Sequence, residues 1–132
     1  MAGFYNLRDL GGHVGVGGFV LGRGRVFRSD APRSDSVDTL AVVRRLGVTT
    51  LIDLRSGRER QQTRPLPSDL EPLVLCAPIV EEVDADRRVW GDPARTATLY
   101  LDILRRGSDV VGRILRVLEE ASSLPAVLYC TA

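Results

Sequence analysis

Cys130 is the residue whose type and setting best suit covalent chemistry. It closes the apolar run Ala126-Val127-Leu128-Tyr129-Cys130 and is followed by the small residues Thr131 and Ala132. A thiol at the end of a buried strand can serve as a nucleophile, provided that it ionises. The competing reading is packing, because free cysteine is among the most buried residue types and is usually inert there. The other cysteine, Cys76, reads as core, with redox pairing to Cys130 as the alternative. The single histidine, His13, lies in a glycine-rich turn and reads as a surface residue. Two cysteines and one histidine make neither a four-ligand zinc site nor a disulfide scaffold, so neither a metal nor a cofactor is expected.

The elements that must position these residues alternate between strand and helix. Asn6 to Gly12 reads as extended chain ending in a turn. Gly18–Leu21 and Arg25–Arg28 flank Gly22-Arg23-Gly24 and read as a hairpin. The run Gly15-Val16-Gly17-Gly18 lacks the last glycine of a dinucleotide fingerprint, and no helix follows it. From Ser36 to Leu46, Val37, Leu40, Val43 and Leu46 recur at a helical period that stops at Gly47. Val48–Leu54 is a buried strand, and Ser56-Gly57-Arg58-Glu59 is a capping box opening a short helix. Leu73–Cys76 is a strand, and the acidic segment Glu81 to Asp86 is a loop. Asp92-Pro93 starts a helix to about Arg106, and Ser108 caps another to about Ser122, with Val111, Ile114, Val117 and Leu118 inward. This order implies an α/β fold with a mainly parallel sheet, in which chemistry sits beyond the carboxyl ends of the strands. Three such ends carry polar or reactive residues: Asp53 with Arg55, the Glu81 loop, and Cys130.

The totals fit one soluble domain spanning residues 1–132: 14.4 kDa, 44 % hydrophobic residues and a mean hydropathy of zero. A net charge of +1 gives the whole chain no electrostatic footprint for nucleic acid or a membrane surface. No apolar run approaches the ~20 residues needed to span a bilayer. The first residues show no signal peptide, which points to the cytoplasm. All eighteen basic residues are arginine. A chain without lysine has no Walker-type phosphate loop and no Schiff-base chemistry.

Four segments in order, Asn6-Leu7-Arg8-Asp9-Leu10-Gly11-Gly12, Val26-Phe27-Arg28-Ser29-Asp30, Leu46 to Ser56 with Glu59, and Val127 to Ala132, carry a family likeness. Together they resemble the bacterial tyrosine-protein phosphatases of the mycobacterial PtpB type across essentially the whole chain. The resemblance implies a phosphotyrosine-phosphatase-like fold and no cofactor, with a phosphorylated protein or a phosphoinositide as substrate. It further implies that Cys130 takes the phosphoryl group and that Thr131 and Ala132 begin the phosphate-binding loop. Glu81 lies nearest the family's acidic position, as candidate general acid, and Arg55 is a candidate phosphate ligand or a brace for its loop. Arg8 and Arg28 brace the amino-terminal segment.

Two departures from the family pattern, His-Cys-x-x-Gly-Lys-Asp-Arg-Thr-Gly, matter. Tyr129 stands in place of the histidine, and the 132 residues stop before the glycine, lysine, aspartate and arginine of the loop. A cysteine phosphatase needs a thiolate, which loop amides stabilise, and a cation on the equatorial oxygens. The expectation is a phosphatase domain incomplete at its C-terminus and inactive as a 132-residue polypeptide. Its central strand would be left with exposed apolar surface through which copies associate. The alternatives are a non-catalytic remnant that binds a phospho-ligand or partner chain, and a rhodanese-like sulfurtransferase.

Overall fold

The computed structural model describes residues 3–32, 37–63, 66, 72–79 and 92–131. In chain order its elements are β1 (Arg8–Asp9), β2 (Val26–Asp30), α1 (Val37–Leu46), β3 (Thr50–Asp53), α2 (Gly57–Gln61), β4 (Leu73–Cys76), α3 (Pro93–Arg106), α4 (Ser108–Glu119) and β5 (Ala126–Cys130). The sheet runs β1-β2-β5-β3-β4, with β1 antiparallel to β2 and every other neighbour parallel. This is the mainly parallel α/β sheet that the alternation of elements predicts.

The latest strand in sequence lies in the middle of the sheet. Val127 stands between Phe27 of β2 and Leu51 of β3, so β5 makes ladder bonds along both edges. Successive side chains of a strand leave on opposite faces, which divides the core in two. Phe27, Leu51, Val127 and Tyr129 meet Val42 and Val43 of α1, together with Phe4 and Val48. Ile52, with Leu75 and Leu128, meets Ile114, Val110 and Leu118 of α4.

Local signals set the element ends. Gly47 adopts a φ of +62° and donates to the Arg44 carbonyl, while the Val48 amide reaches back to Val43, the paired bonds that close a helix on a left-handed residue. The Asp92 side chain accepts from the amides of Ala94 and Arg95, and Pro93 opens α3 without leaving an orphaned donor. Between α3 and α4 the chain passes so close to Ile79 that a Cβ on Gly107 would collide with it.

Some expectations are corrected by the fold. Leu21 pairs back to Gly12 and His13, and Val14 bridges Val20, so the hairpin turns at Val16–Gly18 and not at Gly22–Gly24. Val26 to Asp30 instead finds better partners in β1 and β5, where its apolar side chains are covered on the sheet. Ser108 lies inside α4, whose cap position is Gly107 with no side-chain bond. Val110 packs on the sheet cluster in place of the expected Val111, and α4 ends at Glu119 ahead of a short 3-10 turn.

Cover on the α4 face is partial. Val26 and Leu128 floor an open cleft of about 550 Å³ walled by Leu10, Leu21, Leu115, Leu118 and Leu124. On the α1 face Leu51 is fully buried. Leu51→Ala is expected to cost about 2–5 kcal/mol, the range for leucine deletions in closed cores. A lower denaturant midpoint at unchanged slope would register it.

Candidate active site at the carboxyl end of the central strand

The three central parallel strands end side by side, β2 at Asp30, β5 at Cys130 and β3 at Asp53. Asp30 is in register with Cys130, and Asp53 and Ser29 are in register with Tyr129. Alternation therefore sends the Cys130 thiol and the Asp30 carboxylate to the α4 face, and Tyr129, Asp53 and Ser29 to the α1 face. Cys130 is exposed, and Thr131 beyond it is exposed as well.

On the α1 face, Asp53 and Arg55 form a nearly fully buried ion pair. Arg55 donates from Nε to Oδ1 at 2.9 Å and from Nη2 to Oδ2 at 2.8 Å, and its backbone amide donates to Oδ1 at 3.0 Å. Its Nη1 reaches the Thr63 hydroxyl at 2.9 Å, and Arg60 caps its carbonyl at 2.6 Å. The guanidinium carbon lies 5.4 Å from the Tyr129 ring centroid. Two parallel charge-assisted bonds fix the fork in place, and they hold the Arg55 pKa above its ordinary range. The Ser29 hydroxyl is buried without a hydrogen-bond partner among the described residues, while the Tyr129 hydroxyl is buried against the Asp53–Arg55 pair. Burial, with the Asp53 charge next, pushes the Tyr129 phenol up.

The chain leaving β3 turns at Ser56 into α2. Glu59 folds back so that its Oε2 accepts from the Ser56 amide at 2.8 Å and the Ser56 hydroxyl at 2.9 Å, while its own amide donates to that hydroxyl at 3.2 Å. The Thr131 hydroxyl also bonds the Glu59 carboxylate. One capping box thus tethers the first residue beyond the thiol to the start of a helix. Burial alone would raise the Glu59 pKa, but the bonds from Ser56 and Thr131 and the Arg55 charge outweigh it, and the net direction is down.

The surroundings of the thiol disfavour its ionisation. Partial burial pushes the Cys130 pKa up, the Glu59 and Asp30 carboxylates push it further, and Arg28 only partly offsets them.

A family model described as "Tyrosine phosphatase family" matches residues 1–132. The chain belongs to that family. Over 55 residues it is also 40 % identical to a Cupriavidus necator protein whose name places it among the tyrosine-protein phosphatases. The matched stretch is 42 % of this chain and 20 % of that protein, so the likeness spans about a fifth of the relative's length.

In this tyrosine phosphatase family chain, the expected site residues fall in different places. Cys130 and Thr131 stand together at the end of β5. Arg55 lies on the far face of the sheet from the thiol, engaged by Asp53 and Thr63. Glu81 and Ala132 lie outside the described residues. Cys76 is exposed rather than core, because β4 is an edge strand and its end is uncovered. It is also no redox partner for Cys130 in this fold. β3 separates the two strands, a gap of roughly 9.6 Å, beyond disulfide reach. Asp30 beside the thiol is the neighbour that sequence reading missed, since only strand register reveals it. Glu59 was legible as a cap, and the adjacency of β3 to β5 adds its contact with Thr131.

Asp53→Ala is expected to cost about 3–5 kcal/mol by stranding the Arg55 charge, whereas Tyr129→Phe removes one neutral hydroxyl beside that pair and costs about 0.5–1.5 kcal/mol; chemical denaturation compares the two. Glu59 has its own pH signature. Its folded pKa lies below the unfolded value of about 4.3, so its contribution is complete above that value and lost as pH falls through the folded one. Glu59→Gln should lower Tm near neutrality and flatten the acid limb of the Tm–pH curve.

Proposed function

We propose that the protein is a cysteine-dependent protein-tyrosine phosphatase of the PtpB type, with Cys130 as its nucleophile. The observation that carries this reading is an accessible thiol at the carboxyl end of the central parallel strand, in a chain of this family. The Cys130 thiolate attacks phosphorus, the bond from phosphorus to the leaving-group oxygen breaks, and a carboxylic acid, assigned to Glu81, gives that oxygen its proton. Water then cleaves the sulfur–phosphorus bond, releasing inorganic phosphate and restoring the cysteine. Thr131 and Ala132 form the start of the phosphate cradle. Arg55 acts as a brace, holding β3 against Tyr129 and with it the backbone on which the thiol is carried.

Within the 132 residues, the groups nearest the thiol oppose this chemistry. Asp30 and Glu59 disfavour the thiolate and repel a phosphate dianion. This supports the second reading, in which the 132-residue polypeptide turns over aryl phosphates at or near background and at most binds its ligand. The open cleft beside β5 supports self-association at high concentration.

In a Cys76→Ser background, alkylation of Cys130 by iodoacetamide should reach its half-maximal rate above about pH 8.5, the ordinary thiol value. Asp30→Asn and Glu59→Gln should each move that midpoint down, by up to about 1 unit. Hydrolysis of p-nitrophenyl phosphate that Cys130→Ser abolishes would decide for the enzyme, and saturable vanadate binding without turnover for the binding protein. Light scattering should show a mass that rises with concentration and falls in Leu115→Arg.

A further inference from the structure

The hairpin of residues 12–21 carries side chains that none of the chemistry above uses. Val14, Val16, Phe19 and Val20 are 70, 101, 81 and 61 % exposed, all within a single tight turn. The turn is built, not loose: Gly15 donates to Phe19, Gly12 to Leu21 and Leu21 to His13, at 2.8 to 3.0 Å. Lone exposed apolar residues are ordinary, but a cluster at a projecting tip marks an interaction site.

Charge says what the tip meets. Residues 10–27 contain two arginines, Arg23 and Arg25, and no acidic residue, although the whole chain is nearly neutral. The nearby Asp9 is spent on the backbone, accepting from the amides of Gly11 and Gly24. The Arg23 guanidinium lies against Gly12 at the hairpin base. The tip is three to four residues farther out, or roughly 10 Å at strand rise. That separation matches an apolar segment entering the acyl boundary by about 5–10 Å while arginine stays at the phosphates.

We propose that this hairpin docks the protein on an anionic lipid bilayer, with Val16 and Phe19 in the acyl boundary and Arg23 and Arg25 among the headgroups. A glycine-rich tip with four exposed apolar side chains suits a deformable bilayer better than a protein, since a standard protein interface needs about 800 Å² on each partner. The hairpin leaves the sheet next to Val26, the amino end of β2, whereas Cys130 lies at the carboxyl ends. Docking therefore turns the thiol away from the lipid, and its substrate comes from the aqueous side.

Flotation of the 132-residue chain with phosphatidylcholine vesicles, with and without phosphatidylserine, tests this. Binding is expected with phosphatidylserine and should weaken as salt rises. The double variant V16S/F19S should bind at least tenfold more weakly with an unchanged thermal melt, and R23Q/R25Q should lose the preference for phosphatidylserine. Tryptophan placed by F19W should be quenched by brominated acyl chains. Cys130→Ser should float like the original chain, so the outcome is independent of the phosphatase reading. The proposal is overturned if the original chain stays in the aqueous fraction, if V16S/F19S floats equally well, if F19W is not quenched, or if V16S/F19S alters only the self-associated mass.

Discussion

Everything in this sheet leans on β5, which is bonded along both edges and covered by side chains on both faces. A doubly paired parallel strand leaves no backbone donor for solvent to compete over, so its register is the most firmly set in the fold. That register decides which chemistry meets. Asp30 falls opposite Cys130 and Asp53 opposite Tyr129, and the pleat sends the two pairs to opposite faces. A slip of one residue would bury the thiol and expose the tyrosine.

The two faces then divide the work. On one, the buried Asp53–Arg55 pair and the Tyr129 ring, joined by the exposed Thr63 hydroxyl, form a bonded assembly whose strength is rigidity. Such a pair contributes little net stability against an apolar substitute, and its use is to fix one geometry. On the other, the thiol sits among carboxylates at an accessible edge. Glu59 joins the two regions, since its capping box is built on the turn that follows Arg55 while it also holds Thr131.

Much of this was legible in the residues. The helix at 37–46, the glycine stop at Gly47, the Ser56–Glu59 box and the Asp92-Pro93 start are local signals that the fold obeys, although α1 buries Thr39, Val42 and Val43 and leaves Val37 exposed. What could not be read is long-range. The partner of Val26–Asp30 is fixed by strands remote in sequence, so the glycines at Gly22–Gly24 point to the wrong turn. The exposure of Cys76 follows from β4 being at an edge, which composition does not encode. Asp30 escaped notice for the same reason, because its proximity to the thiol exists only after β2 and β5 pair.

The position of β5 also bears on how the chain reaches this state. Val127 pairs with Phe27, 100 residues earlier in the sequence, so a long loop must close before the central ladder forms. Topologies of that kind fold slowly, because the entropy of closure is spent before the contacts are gained. On the ribosome, β2 and β3 would emerge first with a strand-wide gap between them, each offering an unpaired edge until β5 arrives. For that interval the nascent chain has two open edges able to pair with another chain, and a chaperone that shields strand edges would act there.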